Sequence, residues 1–234
     1  MRQILAATTL SLLISATAFA QKEKESIEGN GKSVTRDVAV QPFEALKASG
    51  VYELKLSQGS KESVRIEADE NLQQYFEVKN EGSKLVIDMA KLKNVRLNKT
   101  HKMIVYVTFT KLKDLDLSTV GNIRSDDNLS FDDLSLSIKS VGNVNLKLTA
   151  NKLSLSNQSV GNVTLSGKAQ NAVFKNEGVG SLKAGDFIVQ TINIKNTGVG
   201  QAEVNAEKEL KVEDSFLGKV KNRGAAPMKK REVI

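Results

Sequence analysis

The sequence predicts an all-β protein, largely a right-handed parallel β-helix of about 19 residues per coil, with a less regular strand-rich N-terminal portion. Three observations carry that prediction. Six hydrophobic–glycine steps recur at near-constant spacing: Val120-Gly121, Val141-Gly142, Val160-Gly161, Val179-Gly180, Val199-Gly200 and Leu217-Gly218. An apolar-x-apolar pair stands eight residues before each of the last five glycines (Leu134/Leu136, Leu153/Leu155, Ala172/Phe174, Ile192/Ile194, Leu210/Val212), with Leu115/Leu117 as a displaced first copy. A further alternation follows the glycine, as in Val144/Leu146/Leu148 and Val163/Leu165, so each repeat is expected to hold three short strands. Period-two alternation is the signature of strand, and a unit this small cannot bury its own apolar face; stacking in register does bury it. Parallel crossovers are right-handed almost without exception, which sets the expected hand. An antiparallel sandwich would also place strands at short intervals, but nothing in it requires successive corners to be chemically alike.

The elements follow in chain order. Residues 1–20 read as a secretory signal: Arg2 supplies a positive charge, Ile4 to Phe19 is apolar or small, and Ala18-Phe19-Ala20 has the form of a cleavage site, placing the cut after Ala20. The strongly apolar part, Ile4 to Ile14, is shorter than the ~20 residues that span a bilayer, so no transmembrane segment is expected in the mature chain. The expected location is secreted or periplasmic. Residues 21–36 are polar without periodicity and read as a flexible lead-in. Residues 37–110 form the N-terminal β portion, with alternation after Gly50, again over Ser63 to Asp69, and in the apolar run Met103 to Phe109. Leu72 to Phe76 fits one helical turn, and residues 90–102 read as a basic exposed loop. Residues 111–222 hold the repeats and 223–234 a basic tail. Phe216 and the tail are expected to end the stack, since an uncapped coil exposes an edge that invites aggregation.

Composition removes several classes of chemistry. The chain has 234 residues, no cysteine, one histidine and a net charge of +7. Without cysteine there is no disulfide framework, thiolate metal site, cysteine nucleophile or lipid-bearing cysteine. His101 has no partner in sequence that would make it a catalyst. The basic residues are dense only from Lys219 to Arg231, a pattern that keeps a terminus solvated, and nucleic acid is not an expected partner. Dinucleotide, phosphate-loop and nucleophile-elbow motifs are missing. No catalytic residue, cofactor or metal is therefore expected.

Two rows of amides are the candidate ligand-facing residues. Asn122, Asn143 and Asn162 follow the repeated glycines, and Asn157, Asn176 and Asn196 stand four residues before theirs. Stacked one strand apart, such amides hydrogen-bond along the stack as a structural ladder. On an exposed face the same ladder would meet sugar hydroxyls. Asp126-Asp127 and Asp132-Asp133 are the acidic pairs of the repeat region and the place to look for a glycoside-cleaving activity, although such pairs in a Ser/Asn-rich connection fit a solvated loop.

The stretch Pro42-Phe43-Glu44-Ala45-Leu46-Lys47-Ala48-Ser49-Gly50-Val51-Tyr52, then Val64 to Leu72, Leu85-Val86-Ile87 and the Val-Gly-Asn repeats, resembles the family described as "putative auto-transporter adhesin, head GIN domain", over about Asp37 to Asn222. That resemblance implies a β-helical, secreted or envelope-associated protein with an adhesin-like role and no recognised catalytic residues. Many relatives carry a lipid-anchoring cysteine, which this chain lacks. The expected function is a non-catalytic binding module presenting a solenoid face to a glycan or an envelope or surface protein. The alternatives are a carbohydrate-active β-helix enzyme, supported by fold analogy alone, and a self-associating structural envelope component.

Overall fold

A computed structural model describes residues 26–92, 96–98, 102–215 and 217–232. Residues 1–20, read from the sequence as a secretory signal, and His101 and Phe216 lie outside the described residues. The strands are β1 (Ser26–Glu28), β2 (Ser33–Val38), β3 (Ala45–Val51), β4 (Glu53–Gln58), β5 (Ser63–Asp69), β6 (Glu77–Glu81), β7 (Lys84–Asp88), β8 (Arg96–Asn98) and β9 (Ile104–Phe109). They continue with β10 (Asp114–Val120), β11 (Ile123–Ser125), β12 (Leu129–Ile138), β13 (Val144–Asn157), β14 (Val163–Asn176), β15 (Leu182–Asn196), β16 (Gly200–Asp214), β17 (Gly218–Asn222) and β18 (Met228–Glu232).

From β12 onward each strand pairs in parallel with the equivalent strand of the next coil, which is the solenoid that the repeat predicts. Like residues stack on like. One wall runs Leu115, Leu136, Leu155, Phe174, Ile194 and Val212 in register. The other runs Ile123, Val144, Val163, Leu182, Ala202 and Val220. All belong to one buried core, so each coil covers the apolar face of its neighbour. The separate strands expected within a coil merge: β13 and β14 pair continuously through a corner where only Asn151 and Gln170 drop out of the ladder.

The N-terminal portion continues the coil rather than standing apart. β3 pairs in parallel with β10, and β4 with β11, so Val51 occupies the rung before Val120. Beyond them β4 pairs in parallel with β9 and β3 with β7; antiparallel strands then end the two walls, β5 followed by β2 on one and β6 on the other, and the 3-10 helix Glu70–Tyr75 tucks Leu72 into the core at that end.

Three stretches differ from the sequence reading. Of the lead-in expected to be flexible, residues 26–36 hold β1 and the first part of β2; in β2, Val34, Arg36 and Val38 form a half-buried side paired antiparallel with β5. The basic loop of residues 90–102 includes a short 3-10 helix, Ala90–Leu92, and β8, which pairs with β1. The basic tail adds β18 to the last coil beside β16, where Lys230 Nζ pairs with Asp214 Oδ2 at 3.0 Å.

Asn222 closes the turn into that last strand. Its Nδ2 donates to the carbonyls of Gly224 (3.2 Å) and Ala226 (2.9 Å), while its Oδ1 accepts from the N–H groups of Ala206 (2.9 Å) and Gly224 (3.2 Å). Asn222→Ala is expected to cost about 1–2 kcal/mol in urea unfolding, because the freed groups are partly reached by water.

Candidate functional site

The repeated corner is set by parity. Counting inward residues by twos from Leu134, Leu136 and Ile138 brings Ser140 inside and leaves Val141 outside. The following glycine breaks the alternation, because it sits at positive φ (133° at Gly142, 126° at Gly161), and inward packing restarts at Val144 and Val163. A Cβ on Gly161 would lie 2.3 Å from the carbonyl oxygen of Gly142, so no larger residue fits between coils.

The consequence is a row of valines facing water. Val120, Val141, Val160, Val179 and Val199 bridge one another in sequence and are each about half exposed (50% to 52%). Val51 pairs with Val120 at one end, and at the other Leu217, 64% exposed, directly precedes Gly218, the register partner of Gly200. Seven rungs at about 4.8 Å make a stripe roughly 29 Å long. Scattered exposed apolar residues need no explanation, but a contiguous row of them marks an interaction surface.

Polar rows flank the valines. On one side Asn122, Asn143 and Asn162 stand in line, each Oδ1 accepting a backbone N–H from the next coil: Asn143 (3.1 Å), Asn162 (3.3 Å) and Ser181 (3.3 Å). Their positions are continued by Glu53 before them and by Gln201 and Lys219 after. On the other side run Ser118, Lys139, Gln158, Glu177 and Thr197. Hydrogen bonds from the Lys175 ammonium and the Gln158 amide hold the Glu177 carboxyl below the usual carboxylate range, so it is charged at neutral pH. At the N-terminal end the buried Glu53 carboxylate is held by Lys102 and by Arg124 Nε at 3.2 Å.

The other amide row lies elsewhere. Asn157, Asn176 and Asn196 are buried, and their side chains bond to one another at 2.6 Å per step, so a ligand at the surface does not reach them. The two amide rows thus separate: one inside the coil, one on the corner. The acidic pairs also separate. Asp126 lies 3.7 Å from Arg124, whereas Asp132 and Asp133 belong to β12 rather than to a loop, with Asp133 Oδ1 accepting from Asn151 Nδ2 at 3.5 Å.

A basic concavity on the wall near the C-terminal end carries several lysines, but they are matched by acids. Lys175 meets Glu177 (2.9 Å), Lys195 meets Glu213 (2.6 Å), and Lys211 meets Glu209 (3.3 Å). The valines were absent from the sequence-predicted site, where they served only as repeat markers. The signal that could have found them is the parity count.

The family model described as "Putative auto-transporter adhesin, head GIN domain" matches residues 42–226. A crystal structure of a putative adhesin from Bacteroides fragilis is 29% identical, with a TM-score of 0.80 over 88% of this chain and 97% of that one. A putative adhesin from Parabacteroides merdae shares the fold at 20% identity, TM-score 0.58, over 89% of this chain and 96% of that one. A putative lipid binding protein from Parabacteroides distasonis does so at 17% identity, TM-score 0.62, over 88% and 100%. No curated protein matches the chain.

Proposed function

The chain belongs to the family described as "Putative auto-transporter adhesin, head GIN domain", and from that premise we propose that it is a secreted or envelope-associated, non-catalytic adhesin-like module whose valine corner seats on a surface protein. The observation that carries the proposal is the seven-rung apolar stripe, held in a straight line by the coil register. Over the five inner rungs its flanking rows are amides and hydroxyls apart from Lys139 and Glu177. Few charges around an apolar centre is the composition of an interface core. A protein partner suits it better than a glycan, because valine offers a sugar ring neither a hydroxyl partner nor an aromatic face. The Asn122, Asn143 and Asn162 amides retain N–H donors for the partner's rim. Among the described residues no helix is long and apolar enough to cross a membrane. The family fits an extracellular or envelope location, and the signal-like N-terminus supports export.

The test is co-sedimentation of labelled protein with bacterial envelope fractions. The triple variant V141K/V160K/V179K is expected to bind at least tenfold more weakly, a change of about 1.4 kcal/mol, while keeping its β circular dichroism and unfolding midpoint. Unchanged binding would reject the corner as the contact. Binding that survives proteolysis of the envelope but not periodate oxidation would replace the protein partner by a glycan.

A further inference from the structure

We infer that the partner of the valine corner is a second copy of this chain, docked with its coil axis reversed about a two-fold axis through the Val160 rung. The inference rests on the proposed contact surface and adds its occupant. A two-fold axis lying in the contact plane and crossing the rows sets each row against its own counterpart while reversing the order of rungs. Val160 then meets itself, Val141 meets Val179, Val120 meets Val199, and Val51 meets Leu217, so each exposed apolar side chain of the row covers another.

The flanking rows are complementary under the same operation. In one, Gln158 meets itself, Ser118 meets Thr197, and Lys139 meets Glu177 of the second copy. In the other, Asn162 meets itself, Asn143 meets Ser181 and Asn122 meets Gln201; at the ends Lys219 comes over the rung of Glu53, whose carboxylate is buried and already held by Lys102 and Arg124. The two charged residues of the five inner rungs, Lys139 and Glu177, are thereby set against each other across the contact. A slip of one rung destroys this, leaving Lys139 opposite Gln158 or Thr197. A two-fold axis parallel to the coil also destroys it, since it sets Lys139 against Asn143 on the same rung. Charge complementarity of this kind fixes register and partner more than it adds affinity.

The contact is small. A stripe of about 29 Å by about 15 Å buries on the order of 900 Å² in total, below the ~1,200 Å² of standard stable complexes. Self-recognition is therefore weak in solution, on the order of tens of micromolar, and becomes effective where many copies are arrayed on facing surfaces.

Sedimentation equilibrium from about 10 μM to about 1 mM spans that range. The wild type is expected to show a reversible monomer–dimer equilibrium. Lys139→Glu alone and Glu177→Lys alone should each weaken it about tenfold, and the double variant, which restores opposite charge across the contact, should return to within about threefold of wild type. Because the chain has no cysteine, cross-linking gives a second reading: Val160→Cys should link to its own copy with a short bismaleimide, whereas Val120→Cys should link only when mixed with Val199→Cys. A wild type that stays monomeric throughout, or a double variant no better than the singles, overturns the second copy as partner. A monomeric protein that still binds envelope through the corner leaves the adhesin-like reading standing, and loss of both defeats both.

Discussion

Gly161→Ala is expected to lower stability by about 3 kcal/mol or more, a fall of roughly 6–12 °C in Tm. Two penalties act together. The backbone sits at φ 126°, which L side chains rarely adopt, and the new Cβ would stand 2.3 Å from the Gly142 carbonyl oxygen. That oxygen belongs to the stacked coil and cannot move without opening the ladder on which Val144 and Val163 pack. Gly31→Ala separates the two effects: φ is 77° there, but nothing lies within 4 Å of the added Cβ, so only the conformational cost of about 1 kcal/mol should appear. Thermal unfolding of the two variants beside the wild type checks the difference. Equal losses would mean that the close stacking of glycines is not what fixes the coil spacing.

Asn176→Ala should cost about 3 kcal/mol, with an unchanged urea m-value. The Asn176 side chain accepts from Asn157 Nδ2 and donates to Asn196 Oδ1, both at 2.6 Å and both buried. Removing it strands one donor and one acceptor inside the coil, each at about 1–3 kcal/mol. Asn162→Ala on the corner is the comparison. Its Oδ1 accepts one N–H, from Ser181 at 3.3 Å, and its Nδ2 donates to Asn143 Oδ1 at 3.5 Å, both where water reaches, so a loss of less than about 1 kcal/mol is expected. A similar loss at both positions would contradict the division into an inner and an outer amide row.

The solenoid was legible because one backbone need recurs at five successive corners, Gly121, Gly142, Gly161, Gly180 and Gly200: a positive φ that only glycine meets without strain. The N-terminal rung was hidden for the same reason. There the corner reads Val51-Tyr52-Glu53, and Tyr52, buried against Gly121 of the next coil, takes the place of the glycine that marks the other rungs. The last strand was hidden by its charge, since Lys229 and Lys230 look like a solvated tail until Met228 is seen half-buried beside the core. The amide rows were detected as one kind of feature although they are two. Asn157 follows Leu153 and Leu155 at even spacing and so points in, whereas Asn162 directly precedes inward Val163 and so points out. The valines were visible by the same count. Hydrophobicity suggested the inside while parity required the outside, and that contradiction is what singles out the row.

Contact through the valine corner is open to site-specific footprinting. Single cysteines at Val160, on the corner, and at Val173, similarly exposed on the wall, give two equivalent probes in a cysteine-free chain. Maleimide labelling of each is measured free and bound to envelope. Binding is expected to slow labelling of Val160→Cys at least tenfold and to leave Val173→Cys unchanged; protection of Val173→Cys with Val160→Cys still fully reactive would rule out the corner as the contact.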